Sequence, residues 1–201
     1  VEKIISKISG EYFKNYQINK IKSRDHGVDL YYGGNNEFFG YDKVIIATHA
    51  DEALAMIENP SDLEKETLSN FSYKKNIAYI HTDQSVMPEN KKAWCSWNSS
   101  MKKNEIEKNS ITYWLNLLQN LECEENIFLT LNPYFKIEES KILKKVKFTH
   151  PYFDQAALDY QSKLKNLQNK RNILFCGSYF GYGFHEDGIK SSVEMLKNLN
   201  D

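Results

Sequence analysis

The apolar positions along this chain change texture twice. Residues 2–8 place Ile4, Ile5 and Ile8 at helical spacing, which predicts the end of a helix. β-forming residues over 17–21 and 28–32 flank Asp25-His26-Gly27, a hairpin-type turn, and Gly33-Gly34-Asn35-Asn36 predicts a second turn. Val44-Ile45-Ile46-Ala47 is a short run without polar alternation. Such a run predicts a strand covered on both faces, as in a parallel sheet between helices. Thr48, His49 and Ala50 leave that strand, and Asp51 is placed to cap a helix carrying Ala53, Leu54 and Ile57.

The middle of the chain is different. Residues 77–82, 93–97, 111–115 and 127–131 are β-rich segments separated by polar, lysine-bearing loops, and they predict a mixed or antiparallel sheet. Asn59-Pro60 and His150-Pro151 are the expected crossing points into and out of this layer. Beyond them, Asp154 opens a predicted helix that keeps Ala157, Tyr160, Leu164 and Leu167 on one face. Ile173-Leu174-Phe175-Cys176 is a second buried-type strand. A helix from Asp187 follows, with Ile189, Val193, Leu196 and Leu199 on one side. The fold expected is α/β at both ends with a β layer inserted, α+β overall.

Between that last strand and helix lies the stretch "FCGSYFGYGFHEDGIKSS", Phe175 to Ser192. Ligands of open α/β sheets sit outside the carboxyl ends of strands, where a helix N-terminus can face them. Gly177, Gly181 and Gly183 let the backbone approach such a ligand closely, and the neighbouring rings suit a dry, flat-walled pocket for a planar cofactor. The same residues also fit a plain strand–loop–helix connection whose rings plug the end of a core. Gly181-x-Gly183-x-x-Glu186 has glutamate where a dinucleotide fingerprint needs its third glycine, so that reading fails. His185 sits between the glycine loop and the helix, either as a functional imidazole or as a residue bonded to the local backbone. Trp97 and Tyr113-Trp114 form either a substrate-pocket wall or aromatic core.

Composition narrows the function classes. The chain has 201 residues, a net charge of −1, 41% hydrophobic and 26% charged residues, so no global field recruits nucleic acid or an anionic membrane. Arg24 and Arg171 are its arginines, which argues against arginine clamps for phosphate. Cys95, Cys123 and Cys176 are odd in number and widely spaced, a pattern of reduced thiols in a cytoplasmic setting. No apolar run approaches the ~20 residues of a membrane helix. The histidines lack metal-ligand spacing, so no metal site is expected. No Ser-His-Asp order, P-loop or paired-carboxylate motif is present, and flavin chemistry needs none.

"FCGSYFGYGFHEDGIKSSVEML" resembles the C-terminal signature of predicted NAD/FAD-binding proteins in the flavin-containing amine oxidase superfamily, a family often associated with cyclopropane fatty acyl phospholipid synthases. "YDKVIIATHADEAL", "IAYIHTDQSVMPENKKAWCSWN", "ITYWLNLLQNL", "LTLNP" and "THPYFD" are similar to the same family, in order and over nearly the whole chain. The resemblance implies a partial FAD-binding Rossmann-like domain over 1–59 and 149–201, interrupted by a substrate domain over 60–148. It implies FAD as cofactor, held by Thr48, Gly177, Ser178, Gly183, Asp187, Gly188 and Ile189. The N–H groups of Asp187, Gly188 and Ile189 would face the isoalloxazine N1 and O2 edge. His185, Tyr182 and Trp97 become the candidate catalytic residues. The activity implied is hydride transfer from an amine or a lipid-derived acyl chain, with a cyclopropane fatty acid synthase as a possible associate. Two features depart from the family pattern. Ser178 stands where an acidic residue often follows the glycine, and the G-x-G-x-x-G unit that holds the ADP half is absent. The expectation is therefore the later part of a flavoprotein, with a missing N-terminal FAD-binding segment as a candidate partner. The alternative class is a non-catalytic binding module.

Overall fold

The structure is a computed structural model that describes residues 2–33, 37–102 and 105–199. The chain divides into two compact units, one from residues 1–72 and 151–201, the other from 73–150.

The first unit opens with helix α1 (Glu2–Ile5) and three antiparallel strands, β1 (Ile18–Arg24), β2 (Gly27–Tyr32) and β3 (Glu37–Tyr41). Arg24 pairs with Gly27, so Asp25-His26 forms the expected hairpin turn. Gly27 has φ +128°, and a Cβ there would strike the Tyr41 carbonyl oxygen, so neither backbone nor space admits another residue. Beyond Gly33, the second predicted turn lies outside the described residues.

Strand β4 (Val44–Ile46) follows, then helices α2 (Ala50–Met56) and α3 (Asp62–Leu68). The α2 cap is His49 rather than Asp51: the Glu52 carboxylate accepts the His49 N–H at 3.2 Å. At α3, Ser61 and Glu64 form a reciprocal capping box. Glu64 is buried, and its Oε2 also lies 2.8 Å from Arg171 Nη1, which anchors α3 to the C-terminal segment of the same unit. The two units divide between Ser72 and Tyr73, beyond the expected crossing at Asn59-Pro60, so α3 falls in the first unit.

The second unit is built on a five-stranded sheet of order β6-β7-β8-β5-β9. Its strands are β5 (Ser72–His81), β6 (Trp97–Lys102), β7 (Glu105–Trp114), β8 (Phe128–Leu131) and β9 (Ile142–Tyr152), with the short helix α4 (Leu115–Gln119) after β7. The β6–β7, β7–β8 and β5–β8 pairs are antiparallel. Residues 93–96 are not a strand as expected. The Trp94 indole donates to the Pro88 carbonyl at 2.7 Å and packs edge-on against Trp114 and Phe128, which curls the chain ahead of β6. A buried polar chain crosses this sheet: His81 Nε2 to Thr130 Oγ1 at 2.8 Å, and Thr130 Oγ1 to Thr112 Oγ1 at 2.9 Å.

Back in the first unit, Asp154 caps α5 (Gln155–Gln161) by accepting the Ala157 N–H at 2.9 Å. The helix ends earlier than its apolar pattern predicts, and a 3-10 turn over Leu164–Leu167 delivers those two leucines to the core. Strand β10 (Ile173–Phe175) is wholly buried and runs parallel to β4, with Leu174 opposite Ile45. Its far edge is closed by a side chain: Gln168 donates to the Phe175 carbonyl at 2.8 Å and accepts the Phe175 N–H at 3.0 Å. Each of these buried apolar residues contributes ~1.5–3 kcal/mol. Helix α6 (His185–Leu196) completes the unit.

Two burial expectations fail here. Ile45 is 42% exposed, so β4 is not covered on both faces. Of the stripe predicted on α6, Ile189, Val193 and Leu196 are exposed, whereas Leu199, past the helix end, packs against buried Leu174, Cys176 and Met195; Ser191 and Met195 are the buried residues of α6. The β4–β10 pair has no third strand among the described residues, which leaves Ile45 uncovered.

Candidate functional site

Strands β4 and β10 end side by side, tied by the Cys176 N–H to the Ile46 carbonyl at 3.1 Å. Their exits place Gly177 against Thr48: a Cβ on Gly177 would come 3.6 Å from the Thr48 carbonyl oxygen and 2.7 Å from the Tyr179 ring. The second contact is too close for any side chain, so glycine is required by space. Ser191, within α6, fixes the loop to the helix. Its hydroxyl accepts the Gly177 N–H at 2.9 Å and donates to the Gly188 carbonyl at 2.7 Å.

The loop then makes a 3-10 turn over Ser178–Phe180. Gln161 on α5 holds it from the other side, donating to the Gly181 carbonyl at 2.5 Å. Gly183 has φ +91° and would bring a Cβ within 3.1 Å of the Phe153 ring. The Asp187 carboxylate accepts the N–H groups of Tyr182 at 2.9 Å and Phe184 at 3.0 Å, closing the loop onto the first turn of α6.

A cleft of about 430 Å³ results, lined by Ser178, Gly183, Phe184, His185, Gly188, Ile189 and Ser192. Five of the residues expected to form the site thus border one hollow. Gly188 leaves it open: a Cβ there would meet only the Ser178 nitrogen, at 3.9 Å. The Ser178 N–H has no partner among the described residues, nor do the first-turn N–H groups of His185 and Glu186.

The structure changes three details. Helix α6 starts at His185, not Asp187, and the Asp187 and Gly188 N–H groups go to the Phe184 carbonyl at 3.1 and 3.3 Å. The available donors are therefore those of Ser178, His185 and Glu186. The Asp187 charge, turned toward the loop, reduces the positive field of the helix start, so directed donors rather than net charge are what the cleft offers. The rings also divide. Tyr179 is buried edge-on against Phe71, with centroids 5.3 Å apart, whereas Tyr182 and Phe184 are 71% and 67% exposed. Only the inner rings plug the core.

Trp97 belongs to the other unit, where it is 60% exposed and stands edge-on to Tyr113 at 5.0 Å. Ser191 and Gln161 are the supports that sequence reasoning missed. Ser191 sits three residues after Gly188 on the helix, a spacing that could have drawn attention to it. Gln161 lies twenty residues from the carbonyl it holds and leaves no local pattern. No group of His, Cys, Asp and Glu side chains able to hold a metal occurs among the described residues.

No family model and no curated protein matches this chain. Solved structures do. A CLA-producing fatty acid isomerase from P. acnes is similar at a TM-score of 0.65 and 15% identity, over 98% of this chain and 50% of that one. A putrescine oxidase variant from a redesign of cofactor binding is similar at 0.65 and 9% identity, over 99% and 51%. Cyclohexylamine oxidase from Brevibacterium oxydans is similar at 0.59 and 8% identity, over 92% and 49%. At these identities the likeness shows the fold. The chain spans about half the length of the structures it resembles, and its mixed α/β architecture with antiparallel sheets is part of theirs.

Proposed function

We propose that this chain is part of an FAD-dependent oxidoreductase and carries the flavin-ring side of the cofactor site. One observation carries the reading: a strand-end loop and a helix start meet around a hollow that Gly188 keeps open, lined among others by Ser178 and His185, whose N–H groups have no partner among the described residues. Unpaired N–H donors beside an opening lined by no carboxylate fit the N1 and O2 edge of an isoalloxazine, where a reduced flavin carries negative charge. Thr48 and Gly177 bring backbone to the same strand ends, and Gly183 and Ile189 border the hollow. When bound, FAD supplies the acceptor for a hydride. The chain's own groups position the ring edge, and the exposed imidazole of His185 and phenol of Tyr182 are available to a substrate at the rim.

In this reading residues 73–150 supply the substrate-facing unit, with Trp97 and Tyr113 as an aromatic wall. The substrate is an amine or an acyl-chain compound, and a cyclopropane fatty acid synthase is a candidate associate. The unpaired thiols of Cys95, Cys123 and Cys176 fit a reducing compartment such as the cytoplasm. The described residues contain no helix long and apolar enough to cross a membrane.

Purification with FAD tests the proposal. The 201-residue chain alone should retain little flavin through gel filtration, because nothing in it replaces the ADP-binding glycine motif. Supplied with the complementary segment, it should become stoichiometrically yellow. Full flavin retention by the chain alone, or none by the assembly, counts against the reading. The second outcome would favour a binding module without redox activity.

A further inference from the structure

The net charge of −1 conceals an uneven distribution. Residues 73–150 hold twelve lysines and no arginine against nine Asp and Glu, whereas the remainder holds fourteen basic and eighteen acidic residues. The second unit is therefore cationic on a chain that is anionic elsewhere. Part of its positive charge is neutralised locally: Lys102 pairs with Glu105, and Lys141 with Asp83 and Glu138. Lys75, Lys136, Lys145 and Lys147 are exposed, and among the described residues none of them pairs with a carboxylate.

These four lysines gather on one side of the five-stranded sheet. Lys145 Nζ stands 5.0 Å from the centre of the Tyr79 ring, which puts the two side chains on the same face. Alternation brings Lys75 to the Tyr79 side of β5, and Leu143 and Lys147 to the Lys145 side of β9. Thr82 donates to the Lys141 carbonyl at 3.0 Å, so the end of β5 meets the start of β9 and these neighbours run antiparallel. Lys75 and Lys147 therefore lie toward one end of a strip, with Lys145 in its middle. Lys136 continues it: with Lys145, Tyr79 and Phe135 it borders a hollow of about 510 Å³, where Glu139 is the one carboxylate. Leu143, 59% exposed, stands among the ammonium groups.

Edge protection accounts for lysines on β9, the outermost strand, because charge there blocks pairing with another chain. It does not account for Lys75 on the internal strand β5, or for Lys136 in the loop after β8. Recognition of single phosphates in a nucleic acid favours the planar fork of arginine, and this unit has no arginine. Lysine is a point charge on an apolar stem. About four such residues together suffice to attract an anionic lipid surface, and an apolar side chain between them can enter the headgroup boundary. We propose that this strip is a docking surface for a membrane that carries anionic phospholipids. Lys75, Lys136, Lys145 and Lys147 lie against the headgroups, and Leu143 enters between them. The attraction is local, since the chain as a whole carries a net charge of −1, so docking is reversible and sensitive to salt. The flavin reading plays no part in it.

Vesicle cosedimentation of the 201-residue chain, without FAD, tests the proposal. One set of vesicles is phosphatidylcholine alone, and in the other a third of the lipid is phosphatidylserine. The chain should bind the anionic vesicles at least tenfold more tightly than the neutral ones, and half-molar salt should release it. Lys75→Glu combined with Lys145→Glu and Lys147→Glu should weaken binding at least tenfold. Lys7→Glu combined with Lys92→Glu and Lys165→Glu makes the same change in net charge at exposed positions elsewhere, and should leave binding within twofold. Circular dichroism checks both folds. If the first combination does not fold, glutamine at the same three positions removes the charge without reversing it, and the tenfold loss should remain. Equal binding to the two kinds of vesicle, binding to neither, or equal losses in the two triple variants overturns the proposal. So does release from the vesicles by duplex DNA at equal phosphate concentration, which would assign the strip to nucleic acid.

Discussion

Gly181 lies so close to Asp187 that a Cβ on the glycine would collide with the carboxyl group that closes the loop onto α6. That carboxylate holds two N–H groups, those of Tyr182 and Phe184. Gly181→Ala should therefore displace it and unfasten the loop, at a cost of ~1–2 kcal/mol, the range of a lost helix cap. A chemical denaturation midpoint reads the loss. An unchanged midpoint would mean that the loop tolerates the shift without losing the cap.

Gly188 should behave in the opposite sense. It lies within α6, and a methyl group would meet only the Ser178 nitrogen at an unstrained 3.9 Å, so Gly188→Ala should stabilise the chain by up to about 1 kcal/mol through helix propensity. The same methyl projects toward the Ser178 N–H. In the flavin-bearing assembly Gly188→Ala should lower the bound flavin per chain, and Gly188→Val should abolish it. Lys190→Ala, whose side chain is exposed and only 3.9 Å-paired to Glu186, should leave flavin content unchanged. Full occupancy in the valine variant would show that the hollow is packing and not a cofactor seat.

Acid should weaken the second unit in two steps. Burial holds the His81 imidazole below its ordinary pKa, partly offset by the Asp83 charge. Its Nδ1 accepts the Asp83 N–H, so the neutral ring is the one that fits. The unfolded state therefore takes up the proton first, and stability falls as the pH drops from about 6.5. Asp83 is pushed up by burial, but the N–H groups of Glu138 and Ser85, the Ser85 hydroxyl and the Lys141 ammonium bring it down to about 2. Its contribution is complete above its ordinary 3.8 and is lost as the pH falls from there to about 2. Melting temperatures across this range should show both steps. His81→Asn should remove the first and keep the second.

Arg171→Ala should destabilise the first unit by ~3–5 kcal/mol, because it strands the Glu64 carboxylate, 2% exposed, without its cation. The double variant Arg171→Met with Glu64→Leu should recover most of the loss. Thermal melts of the two variants decide whether the pair acts through charge or through volume.

What was legible in the sequence followed from local rules. The Asp25-His26 hairpin, the short strands at Val44 and Ile173 and the Asp154 cap all rest on neighbours a few residues away, and all are found. Of the residues that border the cleft, Gly183 came from the same kind of reading, whereas Ser178 and Gly188 were implied by the family resemblance. Reach was the missing quantity. The Trp94 ring packs onto Phe128 and bends a segment whose composition is that of a strand. Glu64 is buried against Arg171, far along the chain, and no local pattern announces that pairing. The stripe of Ile189, Val193 and Leu196 has the periodicity of a core face, yet periodicity records only that a face is apolar. It does not record which polypeptide lies against it.

The Gln168 carboxamide at Phe175 has a consequence for self-assembly. A fibre grows by stacking sheets edge to edge, and propagation needs two adhesive edges on every subunit. Here one edge of the parallel pair is terminated by a side chain that mimics the next strand. Copies of this chain that met through this sheet would have one open edge each, at β4, which suffices for a pair and not for a polymer.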